Sequence, residues 1–521
     1  MLYAIVAIYI IIMLGIGFWC RKHTNSVESF VLGGRSLGSW FTAFAYGTSY
    51  FSAVVFIGYA GQFGWSYGAA ATWIGVGNAI LGSMLPWIIL GNRTRHMSKV
   101  LDAATMPEFF ERRYDSKSLK TVAALIVFIF LIPYTASVYN GLSRLFNMAF
   151  DIPYEFCIIA MAVLTAVYVI AGGYMATAIN DFIQGIIMLV GIVAVVICVL
   201  ESKGGLTEAL LGLGKISDAN VPEYTLNTIF GPDPINLFGV VILTSLGTWG
   251  LPQMVQKFYA VKDKPSITRG TIISTVFALV VAGGSYFMGG FGRLFASATN
   301  EEAVSTGRVL IQSVNGKLAY DSIVPAMLKS ALPELLIGVV VVLVLSASMS
   351  TLSSLVLTSG STITIDLIKP NWKKGLSDER QVLIMRILIA VFLLISVIIA
   401  LNPNTYITTL MSISWGALAG AFLAPFMYGL FSKKITRAAV WVSFALGVGI
   451  TLIHMFIFSL GFFPELTKAA ASLPLNLASP INAGAGAMII TLIVTPIVSL
   501  FTKVKNTEHV DKIFLDCGNF E

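Results

Sequence analysis

Apolar runs of about 20 residues, the length that crosses a bilayer, recur from one end of this chain to the other. Thirteen are read, at roughly 2–20, 38–60, 67–90, 121–148, 153–172, 178–200, 234–257, 268–292, 333–359, 381–402, 405–431, 436–459 and 481–502. No other feature limits the fold as much, because backbone polar groups in hydrocarbon must be paired inside helices or closed barrels. The chain is 56% hydrophobic and 11% charged, with a mean hydropathy of +0.84. Soluble domains carry about a quarter charged residues, so an all-α polytopic protein of the lipid bilayer is expected. The polar-leaning stretches 91–119, 201–232 and 294–332 read as loops with short surface helices.

Lysine and arginine set the orientation. With the N-terminus outside, the loops 21–37, 91–120, 257–269, 369–386, 433–437 and 503–512 fall inside and hold 25 of the 33 basic residues. Thirteen crossings then leave the C-terminus in the cytoplasm of a cell membrane, following the positive-inside rule. The first run starts at Met1 with no basic segment before it and is followed by Arg21-Lys22, so it reads as a retained span. The net charge of +7 belongs to these loops. No basic run interleaved with aromatics marks a nucleic-acid partner. Cys20, Cys157, Cys198 and Cys517 are scattered without metal-ligand spacing and read as buried inert thiols. His23, His96, His454 and His509 form no catalytic or metal-ligand motif, and no phosphate-binding glycine loop is present. An enzyme or an ATP-driven pump is therefore not expected.

Two spans carry helix-weakening residues at mid-membrane. One has Tyr46-Gly47-Thr48-Ser49-Tyr50-Phe51-Ser52; the other has Ser245-Leu246-Gly247-Thr248-Trp249-Gly250-Leu251-Pro252. They open two successive five-span blocks, 38–200 and 234–431. Five crossings invert the second block relative to the first, the plan of an inverted-repeat transporter with its site at the midplane. Two ordinary kinked helices are the alternative. The organisation is then an extra helix and cytoplasmic loop (1–37), a first repeat (38–200), an external loop (201–233), a second, inverted repeat (234–431), and two further helices with a short cytoplasmic tail (432–521).

The run from Leu335 to Leu357 contains Ser346, Ser348, Ser350, Thr351, Ser353 and Ser354. Hydroxyls in a spanning helix face protein or ligand rather than lipid. Ala347, Ser350, Thr351 and Ser354 share one helical stripe by their spacing. Hard oxygens on one stripe suit a small cation such as Na⁺. Close helix packing, or bonding back to the helix's own backbone, is the alternative.

These residues resemble the sodium:solute symporter family, most closely its sodium/proline branch. The resemblance is carried by Phe30-Val31-Leu32-Gly33-Gly34-Arg35-Ser36-Leu37-Gly38, by Gly172-Gly173-Tyr174 running to Asp181-Phe182-Ile183-Gln184-Gly185, by Pro252 with Lys257-Phe258 and Asp263, and by Ser348-Met349-Ser350-Thr351-Leu352-Ser353-Ser354. It extends from about residue 28 to residue 440. It implies a LeuT-type 5+5 core and sodium-coupled uptake of a small organic solute, amino-acid- or organic-acid-like, by alternating access. It also implies a sodium site made of the carbonyls of Thr48, Phe51 and Ala347 with the hydroxyls of Ser350 and Thr351. In some members an Asp at the position of Asp181 holds a second sodium ion, here with Ser350, Ser353 and Ser354. A carboxylate beside a helix N-terminus is the alternative for Asp181.

The chain also departs from its relatives. Proline transporters carry Asp where this chain has Tyr50, and Trp and Tyr where it has Thr244 and Thr248. Sugar transporters carry Gln and Glu at Val55 and Gly75. Sialic-acid transporters place an Arg in the stretch that here reads Ile132-Pro133-Tyr134-Thr135-Ala136. A neutral lining rich in hydroxyls and aromatics remains: Thr48, Ser49, Tyr50, Ser52, Tyr134, Ser137, Thr244, Thr248, Trp249 and Trp415. Core packing is the ordinary alternative for each aromatic. A sodium-independent facilitator, a proton-coupled transporter using Asp181, and a transporter-like receptor are the competing readings of the whole.

Overall fold

Helix is lost in the middle of both marked spans. The computed structural model describes residues 2–21, 26–150, 152–218, 221–311, 313–314, 317–372, 375–401 and 407–518. Lys22, His23 and the start of the run at 405–431 lie outside them. The first broken span runs as Ser39–Tyr50 and stops at Phe51, whose φ of −106° and ψ of 97° are extended. It resumes through a π-helical turn, Val54–Tyr59, into Ala60–Tyr67. The Ser52 side chain caps the restart by accepting from the Val54 N–H at 3.1 Å. The second broken span runs as Pro234–Gly250, turns at Leu251 (φ −77°, ψ 123°) and continues as Pro252–Tyr259 with a bend of 46°. Pro252 causes this break: it drives the preceding residue to extended backbone, and its missing N–H falls where a helix start needs none.

Other spans fuse. The runs expected at 153–172 and 178–200 form one 48-residue helix, Tyr154–Glu201, interrupted only at Gly173 (φ 55°, ψ −152°). The run at 67–90 continues through π-helical turns, Ile80–Met84 and Trp87–Gly91, to Val100. Among the described residues nine helices are long and apolar enough to cross a membrane, ten if the proline-broken pair is one span. Two of the nine, with 47 and 48 residues, are each about twice a bilayer length. That fusion, with the short halves of the first broken span and the shorter apolar helix Ala4–Cys20, separates this figure from the thirteen expected runs.

The serine-rich run is the helix Glu334–Thr362, and every residue from Val340 to Thr362 is buried. It packs against the first broken span, Tyr154–Glu201 and Lys117–Phe150. Tyr168 fixes it by donating to the Met349 carbonyl at 2.7 Å. The helix Ile407–Phe431 is also buried and packs against Pro234–Gly250, Lys117–Phe150 and the last two long helices, Arg437–His454 and Pro480–Phe501. Outward faces are apolar, as in Leu383, Ile387, Leu394 and Ile398 of Asp378–Ala400. Hydroxyls therefore lie inside and hydrocarbon outside, as a lipid solvent requires. The polar stretches hold short helices, among them Asn92–Val100, Met106–Tyr114 and Leu206–Gly214, and two small strand pairs. Among the described residues no cysteine is in a disulfide; Cys20, Cys157 and Cys517 are buried and Cys198 is half-buried.

Candidate functional site

A helix that stops at mid-membrane leaves its last carbonyls without their usual partners. The end of Ser39–Tyr50 meets the hydroxyl stripe of Glu334–Thr362 at this point. Thr351 Oγ1 lies 3.4 Å from the Thr48 carbonyl, 3.3 Å from that of Ser49 and 3.1 Å from that of Ala347. One hydroxyl proton serves one carbonyl well, so three around it are a surplus of acceptors. Ser350 Oγ donates to Thr48 Oγ1 at 2.7 Å, and Thr48 Oγ1 donates to the Phe44 carbonyl at 2.8 Å. All these residues are buried. Thr48, Ala347, Ser350 and Thr351 are thus brought together, with the Ser49 carbonyl as a member that sequence reasoning missed. The contacts that gather them do not include Phe51, whose ring instead stacks on Tyr50 at 4.2 Å. The oxygens are neutral and sit at a helix C-terminal end, where the dipole favours a cation.

Asp181 lies two turns beyond the interruption at Gly173, too deep in the resumed helix for a first-turn carboxylate. Its side chain is 1% exposed and faces Lys257 Nζ at 3.9 Å. Ser350 faces the same carboxylate. Lys257 Nζ donates to Ser354 Oγ at 2.9 Å, and Ser354 and Ser49 hydroxyls are 2.7 Å apart. Ser353 is turned away: its hydroxyl donates to the Ser350 carbonyl at 2.8 Å. Lys257 is one of the charges expected in the inner loops, but it lies on Pro252–Tyr259, within the broken span; without it the expected orientation has 24 inner basic residues against 8 outer ones.

The expected solute-lining residues form two groups. Tyr50 stacks on Trp415 with ring centres 6.0 Å apart, and Tyr134 meets the same indole edge-on at 5.9 Å. The Tyr134 hydroxyl lies beside Trp415 and Ser52. Trp415 Nε1 makes no hydrogen bond of full geometry among the described residues, and the Tyr134 hydroxyl is a polar group beside it. The second group lies along Pro234–Gly250. Thr248 Oγ1 donates to the Gly82 carbonyl at 2.9 Å and Trp249 Nε1 to the Leu81 carbonyl at 2.7 Å. Tyr50 joins the groups by donating its hydroxyl to the Thr244 carbonyl. Ser137 and the Thr244 hydroxyl are spent on their own helices, bonding the Tyr134 and Val240 carbonyls at 2.6 Å and 2.8 Å. The aromatic and hydroxyl residues of both groups are buried, so this arrangement is closed to solvent.

Two further residues escaped sequence reasoning. Asn78, a lone amide in an apolar run, accepts from Ser245 Oγ at 3.1 Å and leaves its Nδ2 unpartnered among the described residues. Lys257 was noticed only as part of a motif. At Gly75, a Cβ would stand 2.5 Å from the Gly283 Cα. The position where sugar transporters place Glu is therefore a backbone-to-backbone helix contact here.

The chain and its fold match known proteins. The profile of the sodium:solute symporter family matches residues 30–447. The osmoregulated proline transporter OpuE of Bacillus subtilis (strain 168) is 28% identical over 449 residues, covering 86% of this chain and 87% of that protein. A sodium/proline symporter of Staphylococcus aureus is 30% identical over 446 residues, covering 84% and 82%. The solved structure of a Na⁺-coupled sialic acid symporter, substrate-bound and outward-open, superposes with a TM-score of 0.71 at 16% identity, covering 96% of this chain and 98% of that one. A nucleobase-cation-symport-1 family transporter in a closed conformation gives 0.51 at 12% identity, covering 94% and 99%. The fold is that of LeuT-type transporters. With the family profile spanning most of its length, the chain belongs to the sodium:solute symporter family and moves a small solute across a membrane coupled to sodium ions.

Proposed function

We propose that the protein takes up a small amino-acid-like or organic-acid-like solute, with sodium held between the first broken span and the helix Glu334–Thr362. The ion's ligands are the carbonyls of Thr48, Phe51 and Ala347 and the hydroxyls of Ser350 and Thr351, with the Ser49 carbonyl beside them. The observation that carries this reading is the convergence of three carbonyls on the single Thr351 hydroxyl. Neutral oxygens bind sodium weakly and reversibly, which a transporter needs. The solute site is the pocket of Tyr50, Ser52, Tyr134, Thr248 and Trp415, with Ser137, Thr244 and Trp249 supporting it from behind. A carboxylate on the solute would be met by the bound sodium or a helix N-terminus. The curated relatives are proline transporters by name, but Tyr50, Thr244 and Thr248 give this chain a different lining, and we assign it a different small solute.

The protein stands in the plasma membrane with thirteen crossings, the N-terminus outside and the C-terminus in the cytoplasm. The repeats are 38–200 and 234–431, and they rock about the midplane site to alternate access. The acidic cage of Asp181, Ser350, Ser353 and Ser354 is a separate question, taken up below.

Uptake measured against sodium concentration tests the ion site. Ser350→Ala and Thr351→Ala each remove one ligand and are expected to raise the sodium needed for half-maximal uptake roughly tenfold, about 1.4 kcal/mol. The solute comes from a thermal-shift panel of amino acids, monocarboxylates, sugars and vitamins in sodium against choline buffer: the right one stabilises only with sodium. Unchanged sodium dependence in both variants would remove the site assignment.

A further inference from the structure

Lys257 carries a charge inside a membrane-spanning element, on Pro252–Tyr259. Its side chain is 2% exposed. An ionisable group at that depth needs a partner and a function. Its ammonium donates to Ser354 Oγ at 2.9 Å, stands 3.9 Å from Asp181 Oδ2, and lies 5.1 Å from the centre of the Tyr174 ring. A hydroxyl, a carboxylate and an aromatic face are three kinds of partner a cation takes. Neither Asp181 oxygen makes a hydrogen bond among the described residues, so the ammonium is the counter-charge the carboxylate has. Ser354 passes the contact on to Ser49 at the break of the first broken span. The lysine therefore touches elements of both repeats.

Asp181, Ser350 and Ser354 also belong, with Ser353, to the second sodium cage that the family resemblance implies. A buried carboxylate is balanced by one cation. A sodium ion entering beside the ammonium would place two positive charges on one carboxylate in a site sealed from water. Occupation by one excludes the other.

We propose that Lys257 is the resident cation of this cage: its ammonium takes the place of a second sodium ion, and the chain couples a single sodium ion to each solute. The inference rests on the first sodium site proposed above, and it is tested separately from it.

The test counts sodium ions on the purified full-length chain, using ²²Na⁺ alone as the probe in choline buffer. Wild type is expected to saturate at one ion per chain with a Hill coefficient near one. Lys257→Gln frees the cage and is expected to bind two. A wild type that binds two ions overturns the inference and leaves the first site standing. A K257Q protein that folds and still binds one ion overturns it too. Wild type binding no sodium overturns the first site, and the inference falls with it. Where K257Q leaves Asp181 unpaired and the protein does not fold, the neutral pair D181N/K257Q decides. It is expected to match wild type at one ion, and a lower count than wild type shows that Asp181 was a sodium ligand and overturns the inference.

Discussion

Tyr50 stands where the two broken spans face each other. Its hydroxyl proton goes to the Thr244 carbonyl on the opposite span, and its ring lies between those of Phe51 and Trp415. Tyr50→Phe keeps the stack and removes the bond. A cost of about 0.5–1.5 kcal/mol is expected, read as a lowered melting temperature, with a severalfold rise in the solute's half-saturation and no change in sodium's. Sodium half-saturation moving in step with the solute's would put Tyr50 in the ion site instead. Residues of this kind were legible because a break in a helix exposes whatever side chains flank it, and because the stripe at Ala347, Ser350 and Thr351 follows helical spacing. Lys257 was not legible as a site residue. It lies at the end of an apolar run, where a basic residue reads as a loop charge, and its partner is 76 positions away in the chain. Both Pro252–Tyr259 and Tyr154–Glu201 pack against Glu334–Thr362, and this shared neighbour brings the two charges together.

Elements break and fuse for local reasons that sequence shows unevenly. Pro252 announces its break. Gly173 is less plain, because one glycine in an apolar run is tolerated by an ordinary helix, yet the expected runs 153–172 and 178–200 part at it. Its φ of 55° and ψ of −152° belong to a region open in practice to glycine alone. A Cβ there would also stand 2.9 Å from the Phe30 carbonyl oxygen. Gly173→Ala is therefore expected to cost about 1–3 kcal/mol. Gly15→Ala, in the helix Leu2–Cys20 with nothing within 4 Å of the new methyl, is expected to gain about 0.5–1 kcal/mol. Thermal unfolding of the two variants side by side checks the contrast, and equal effects would contradict it. The fused spans 154–201 and 54–100 were read as separate crossings because a periodicity argument ends a helix at glycine or at a bilayer length. The backbone does leave helix between those runs, at Gly173 and at Gly68 (φ 59°, ψ −137°), while the π-helical turns Ile80–Met84 and Trp87–Gly91 only lengthen the run 67–90 to Val100.

At the scale of the molecule, contacts outside the spans tie distant parts together. Asp321, in the polar stretch after residue 294, is buried beside Arg144 of Lys117–Phe150 and accepts from the backbone N–H of Ile407 at the start of Ile407–Phe431. Burial pushes its carboxyl up to about 6, against the pull of Arg144 and that N–H; Tyr154 is the other titratable neighbour. A carboxyl raised above its ordinary value holds its proton longer when folded than when unfolded. Stability is then gained as pH falls from about 6 toward 4 and lost as it rises again, by at most about 1.4 kcal/mol per pH unit. Asp321→Asn removes this dependence. Melting temperatures of wild type and D321N across pH 4–7 should therefore diverge on acidification, wild type gaining relative to the variant; parallel curves would refute it. The membrane class and the repeat plan were legible because hydropathy and charge bias are sums over many residues, insensitive to any one misplaced charge. Removing Lys257 from the inner count left the orientation unchanged.

A cation on a covalent leash never leaves the protein, and that sets a ceiling on what the transporter can accumulate. For a solute of no net charge, one charge moving inward through about 100 mV releases about 2.3 kcal/mol, which supports a solute ratio of roughly 50-fold from voltage alone, before the sodium concentration gradient is added. A second mobile ion would raise that to roughly 2,000-fold. With Lys257 filling the cage beside Asp181, the gentler ratio holds. Each solute molecule imported then admits one sodium ion.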